Sequence, residues 1–360
     1  MSRAPVVLAP GVVTQLAPAQ EWLDSWWLVA GLGAGLLVLL AVAAPVPGLR
    51  RRAGARRPPG VRAGLVAGSV VLLLLTGAET ANALSGYLPT LGAARFVLTG
   101  SYRSGTGTLT KFSLGAPTLD VPASTTYAYL PPGYSPTAAR RYPVAYLFHG
   151  SPGRSSDWFA AGDAARTLDV LIAHHEIPPM IVVTPDTNGG GLHDTECLNR
   201  PHGAQLETFI NHVLVPAGDA RFRTDPRPAA RVMGGMSAGG FCALDQGLRH
   251  RETWGPIIAL EPFGDPGNSF RDRLGVTGFA AVSPSAYLPR ITVPAPVPVF
   301  YGTGARAIEK PGVDIIGELL TSRGWPVLRR DVPGQGHTWL TARADLPYGL
   351  VYAARFLPRE

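Results

Sequence analysis

The chain has 360 residues, 46% hydrophobic and only 16% charged. Soluble domains carry about 25% charged residues and disordered chains little hydrophobic mass, so this balance excludes a disordered or purely electrostatic scaffold. Its 32 basic and 25 acidic residues leave +7, but Arg50, Arg51, Arg52, Arg56, Arg57 and Arg62 share one short stretch and without them the balance is +1. The pI of 9.7 therefore marks a loop rather than a nucleic-acid face, and no nucleic-acid motif accompanies it.

Residues 1–25 read as a short N-terminal segment. After it, residues 26–49 and 63–78 carry no charge at all. A bilayer core takes roughly 20 apolar helical residues, so spans are expected at about 26–44 and 63–83, forming a membrane hairpin over 26–84. Short arginine-rich loops stay in the cytoplasm. With loop 50–62 inside, both ends lie outside, and everything after about Gly86 is extracytoplasmic. Trp22, Trp26 and Trp27 then suit the outer interface, where amphipathic rings settle, and Gly31 and Gly35 suit a close helix contact. A competing reading takes 50–83 as signal-like, with small residues Ala81 and Ala83 at the cleavage-type positions. Cleavage there would release the same domain on the same side.

From about residue 95 to 360 the texture changes to a single catalytic-type domain. Segments 108–112 and 125–130 read as an antiparallel opening pair ended by Pro131-Pro132-Gly133. The short apolar runs 144–148, 180–184, 230–233, 256–260 and 297–301 have the pattern of strands buried on both faces. Helix-like stretches at 164–174, 204–215, 239–250 and 312–323 lie between them, and 327–332 adds a last strand before a final helix. Alternating strands and helices imply an α/β fold with a mostly parallel sheet.

One motif stands above this background: Gly234-Gly235-Met236-Ser237-Ala238-Gly239-Gly240, between a strand and a helix. A serine on a sharp strand-to-helix turn needs small neighbours, which Gly235 and Gly239 supply. The helix that follows aims its dipole and free N–H groups at the serine, favouring an oxyanion. A serine nucleophile also needs a base and an orienting acid, here in the chain order Ser, acid, His. Two histidines follow Ser237. His250 closes the helix and should point away, which leaves His337 in Gly336-His337-Thr338-Trp339. For the acid, Glu309 is the first carboxylate on the loop after strand 297–301, with Asp314 and Asp331 as fallbacks. Glu261 and Asp265 follow an earlier strand and suit substrate contact or surface salt-bridging better. Oxyanion donors are expected at the N–H of Ala238 and of Ser151, with Gly150 next, because Pro152 has none. His149 should pack beneath that loop.

Cys197 and Cys242 are the two cysteines, and an even count outside the cytoplasm favours a disulfide. Such a bond would pin the loop 186–203 beside the nucleophile helix. His193, Asp194, Glu196 and His202 share that loop without any zinc-type spacing. No metal or cofactor is expected.

Several pieces together carry a family likeness: Tyr127 to Tyr134 (YAYLPPGY), the loop His149 to Gly153, Glu207-Thr208-Phe209, Gly235 to Gly240 and Gly336 to Trp339. With them the chain resembles the esterase family of α/β-hydrolases that includes enterobactin-type and feruloyl-type esterases, esterase D and the actinobacterial mycolyltransferases. The resemblance implies an α/β-hydrolase fold and a triad of Ser237, Glu309 and His337. Many members place Asp where this chain has Ala305, and the spacing to Glu309 is closer to the mycolyltransferase branch. The expected activity is a membrane-anchored serine esterase or acyltransferase acting through an acyl-enzyme. Its substrate partner would be an ester at the membrane surface, such as an envelope acyl or aminoacyl lipid. Acyl transfer to a sugar or lipid hydroxyl, a prolyl-oligopeptidase-type peptidase and an inactive binding module are the other readings.

Overall fold

Eight strands make one sheet in the computed structural model, which describes residues 4–16, 22–44, 58–100, 105–189, 194–291 and 296–358. They are β1 (Thr108–Ala116), β2 (Val121–Leu130), β3 (Val144–Phe148), β4 (Ile181–Thr184), β5 (Arg231–Met236), β6 (Ile257–Leu260), β7 (Val299–Gly304) and β8 (Val327–Val332). Their spatial order is β1-β2-β4-β3-β5-β6-β7-β8, antiparallel from β1 to β4 and parallel from β4 onward. The central runs are apolar at consecutive positions because both faces are covered. On β3, Val144, Tyr146 and Phe148 pack into one layer, and Ala145 and Leu147 into the other.

Helices α1 (Trp26–Ala43) and α2 (Pro59–Ser85) precede the sheet. At 1.5 Å per residue they are about 27 and 40 Å long, enough for a bilayer core. The second therefore starts and ends outside the expected 63–83, because Pro59 is well placed in a first helical turn and Gly86 closes the helix at φ 64°. Helix α1 buries no side chain, and α2 buries only Ala83. The two pack on each other: a Cβ at Gly68 would stand 3.0 Å from Leu39 Cδ2, and one at Gly35 3.8 Å from Leu72 Cδ1. Of the six clustered arginines only Arg62 lies on α2, and Arg50, Arg51, Arg52, Arg56 and Arg57 lie outside the described residues.

Layers on the sheet are built from α3 (Ala164–Ala173), α4 (Ala238–Arg249), α6 (Lys310–Ser322) and α7 (Trp339–Ala354), while α5 (Asn268–Ala281) packs Phe270 and Phe279 against Leu198 and Phe241. The core begins earlier than residue 95. Val6, Leu8 and Val12 are buried in the layer that holds α3 and α7, and Arg355 donates to the Ala4 carbonyl. The segment before α1 and the domain after α2 therefore lie at the same end of the helix pair.

The junction after α2 is also packed. Gly86 leaves no room for a side chain, since a Cβ would meet Leu340 Cγ at 2.6 Å, and its carbonyl accepts from buried Arg343. Tyr87 donates its hydroxyl to Asp157 Oδ1 at 2.6 Å, while Asp157 Oδ2 accepts from the Arg154 N–H at 2.8 Å.

Candidate active site

Ser237 sits between β5 and α4 at φ 59° and ψ −122°. A non-glycine residue is strained there. The turn is possible because its neighbours lack side chains: a Cβ on Gly235 would lie 2.0 Å from the Gly239 carbonyl oxygen, and one on Gly239 2.1 Å from that of Phe148. Its own N–H donates to Leu260 O at 2.9 Å, tying the turn to the end of β6. Helix α4 begins at Ala238, so its first free N–H groups surround the serine.

The loop after β3 closes over this point. Gly150 is packed so tightly that a Cβ would stand 3.2 Å from Ser237 Cβ. His149 is buried beneath the loop, with Nδ1 against Gly150 O at 2.7 Å and Nε2 accepting from the Thr187 N–H at 3.1 Å. Its ring is fully engaged and leaves the base role to another histidine. A small cavity of about 10 Å³ lies between Gly150, Ser151, Ala238, Asp194 and Glu196, on the side where both expected oxyanion donors reside.

His337 follows β8. Its Nδ1 faces Glu309 Oε2 at 3.6 Å, and Phe263 stacks on the ring with centroids 5.6 Å apart. Burial pushes the imidazole pKa below its usual value, opposed by the Glu309 charge, so the ring is neutral and able to take a proton at ordinary pH. The fallback acids are engaged elsewhere: Asp314 pairs with Lys310 and Arg329, and Asp331 with Lys310.

One carboxyl departs from the sequence expectation. Glu261, read there as suited to the surface or to substrate, has a fully buried side chain whose Oε2 stands 3.9 Å from the same His337 Nδ1. Its other oxygen accepts from the Gly304 N–H at 3.2 Å, and the Thr338 N–H also bonds to it. Burial pushes its pKa up to about 9 against those two bonds. The signal available in the sequence was its place one residue after a buried parallel strand, at the carboxyl edge where α/β sites form.

Cys197 and Cys242 form a disulfide with Cα atoms 5.5 Å apart. Gln246 Nε2 donates to Cys197 O at 2.7 Å, so the loop is held to α4 by a covalent bond and a hydrogen bond. Beyond it opens a cleft of about 450 Å³ lined by Asp194, Glu196, Phe263, Asp265, Glu309 and Val313. Glu196 is pushed well above the carboxylate range by burial and by the nearby Asp194 and Asp265. His193 lies outside the described residues, and among those described no group of three or more potential ligands is placed to hold a metal ion.

At the far end of α4, Glu207 accepts from Arg249 at 2.6 Å and lies 2.7 Å from His250 Nε2. Burial opposes its charged form, yet these hydrogen bonds hold its pKa down to about 2. His250 thus anchors the helix away from Ser237, as its position predicted.

Comparison with known proteins places these features in context. A family model described as "Putative esterase" matches residues 123–302, ending before Glu309 and His337. An uncharacterised protein of Corynebacterium glutamicum is 29% identical over 140 residues, 39% of this chain and 33% of that protein. An esterase of Mycobacterium tuberculosis is 31% identical over 143 residues, 40% of this chain and 29% of the relative. The match thus spans a third or less of these relatives. Among solved structures, a ferulic acid esterase superposes with a TM-score of 0.62 at 21% identity, over 70% of this chain and all of that one. That likeness bears out the mostly parallel α/β-hydrolase fold.

Proposed function

The chain belongs to the esterase family whose model matches half of it, and from that premise we propose that it is a membrane-anchored serine esterase or acyltransferase with Ser237, His337 and Glu309 as its triad. The observation that carries the reading is Ser237 at φ 59° on the N-terminus of α4, at the same edge of the sheet as His337. Ser237 Oγ attacks an ester carbonyl as its proton passes to His337 Nε2, and the carbonyl π pair moves onto oxygen. The N–H groups of Ala238 and Ser151 receive that oxyanion. The imidazolium is steadied at Nδ1 by Glu309 and returns its proton to the departing alcohol. Water, or an acceptor hydroxyl, then gives a proton to His337 and takes the acyl group by the reverse sequence.

The two exposed apolar helices support anchoring at a bilayer, with the domain on the extracytoplasmic side. The disulfide fits that compartment. A tether of this kind concentrates the site on lipid-borne esters. Among envelope esters, the carboxylates of Asp194 and Asp265 along the cleft favour an acyl group with a cation, as in an aminoacyl lipid, over an anionic one.

The test is the full chain in detergent micelles, assayed on a short-chain aryl ester and on an aminoacyl phospholipid, with a fluorophosphonate probe. Ser237→Ala should lose at least about a thousandfold and all labelling. Equal activity in the variant would refute the nucleophile, and a wild-type chain that neither labels nor turns over ester would favour an inactive binding module. Product analysis with and without an added alcohol separates hydrolysis from transfer.

A further inference from the structure

His337 Nδ1 faces two carboxyls from two different strand ends, and neither is far enough away to be ignored. Glu309 arrives from the loop after β7, with a side chain 39% exposed, at 3.6 Å. Glu261 arrives from the end of β6, with a side chain 0% exposed, at 3.9 Å. Three polar atoms converge there without a hydrogen-bond partner among the described residues: His337 Nδ1, Glu309 Oε2 and Glu261 Oε2. A buried carboxyl oxygen left unpaired costs free energy, and Glu261 is not drifting in a roomy pocket. Its backbone N–H donates to Gly302 O at 2.7 Å, its φ is 49°, and its Oε1 is taken by the Gly304 N–H. That arrangement aims the remaining oxygen at the imidazole.

We propose that Glu261 is a second positioning residue of the triad, sharing His337 Nδ1 with Glu309, so that either carboxyl can hold the tautomer that leaves Nε2 free. The proposal rests on the reading of Ser237 and His337 as nucleophile and base. The two members differ in character. Glu261 is the fixed one, held by a backbone N–H, whereas Glu309 stands just before α6 at the cleft, without a side-chain cap bond, and is part open to solvent. Two like charges at this distance from one ring repel, so the pair carries one negative charge, and burial assigns the proton to Glu261. When Glu309 is drawn toward the cleft or removed, Glu261 accepts from Nδ1 itself. The other charge facing Glu261 is Asp345, which is itself paired with Arg330.

Glu309→Gln, Glu261→Gln and the double variant are compared in the full chain by kcat/KM on an aryl ester, by fluorophosphonate labelling rate and by the pH profile. Each single variant should lose no more than about thirtyfold, while the double should lose on the order of ten-thousandfold, the cost of removing a triad acid outright. The acid limb of kcat/KM should move down from wild type to Glu309→Gln and down again in the double, because only then has His337 Nδ1 no carboxyl acceptor. A purely structural Glu261 would lower the rate without the second movement. Glutamine keeps the acceptor used by Gly304. If Glu261→Gln nevertheless fails to fold, Glu309→Ala alone decides, since a ten-thousandfold loss there overturns the proposal. The proposal also fails if Glu309→Gln alone matches the double, or if Glu261→Gln changes neither background. A wild-type chain inert to ester and probe would overturn the hydrolase reading itself, whereas labelling with an idle Glu261 overturns only the shared-carboxyl arrangement.

Discussion

Replacing both Cys197 and Cys242 by alanine removes the cross-link that fastens the cleft loop to the nucleophile helix. The bridged residues are 45 apart in sequence, and closing a loop of that length in the unfolded chain is worth about 4 kcal/mol in the chain-entropy model. Both side chains are buried, at 2% and 0% exposure, so the substitution also leaves two small gaps. A domain of this size shifts by roughly 2 °C per kcal/mol, which puts the expected fall in Tm near 8 °C. Calorimetry of the full chain in detergent, with and without a strong reductant, measures it. Reduced wild type should show most of this fall and the double variant slightly more, because only the variant carries the gaps. Below the transition, KM should rise more than kcat falls, because Glu196 and Asp194 lose their anchorage while Ser237 keeps its glycine-bounded turn. A change of less than 2 °C in both samples would show that the loop is held by the Gln246 bond and packing alone, and would refute the entropic argument.

Other consequences follow from the same geometry. Gly239→Ala places a methyl 2.1 Å from the Phe148 carbonyl oxygen. Neither backbone can retreat without opening the sheet, so urea titration should show a loss of about 1 to 3 kcal/mol, and activity should fall at least as far as in Ser237→Ala. Because burial holds the His337 pKa below its ordinary 6.5, the acid limb of kcat/KM should lie below pH 6.5; a limb above that value would mean that the Glu309 charge outweighs burial. Glu207 has its pKa depressed from 4.5 to about 2, so its contribution is complete above pH 4.5 and vanishes as pH falls toward 2. Glu207→Gln should therefore cost about 2 to 3 kcal/mol at pH 6 and nothing near pH 2, read from urea midpoints across that range.

The elements legible in the sequence were those whose local pattern and tertiary role agree. β3 and β6 are apolar runs buried on both faces, Ser237 is marked by the glycines that give it room, and His337 by its place just after the last strand. β7 extends through Gly302 to Gly304 by pairing with Arg330 to Val332 of β8, and glycine stands there because the Asp345 side chain and the Gly336 backbone crowd those positions, a reason that no strand propensity contains. Residues 204–215 read as one helix, but the turn is wider over Ile210–Leu214 before a separate helix at Val215–Arg221. Helix α5 went unread because Gly275 breaks it at φ 66° and its apolar residues share no single face. Glu261 was misjudged for a different reason. It lies 76 residues before His337 in the chain, and only the pairing of β6 to β7 and β7 to β8 brings the two strand ends together. The role of residues 4–16 in the core is likewise a matter of where the helix pair returns the chain.

The packed junction at Gly86 turns that helix pair into more than a leash. With Arg343 holding the Gly86 carbonyl and Leu340 filling the space where a side chain would stand, no free residues intervene between α2 and the domain. On the proposed topology the domain cannot wander over the surface in search of an ester. It stands at one height and one tilt, and the lipid must bring its ester bond to that level. Tyr87 extends the same rigidity inward, since its hydroxyl reaches Asp157 and Asp157 grips the strand of chain that follows the oxyanion loop. The segment that leaves α2 is thus tied, through two hydrogen bonds on one carboxylate, to the backbone at Arg154.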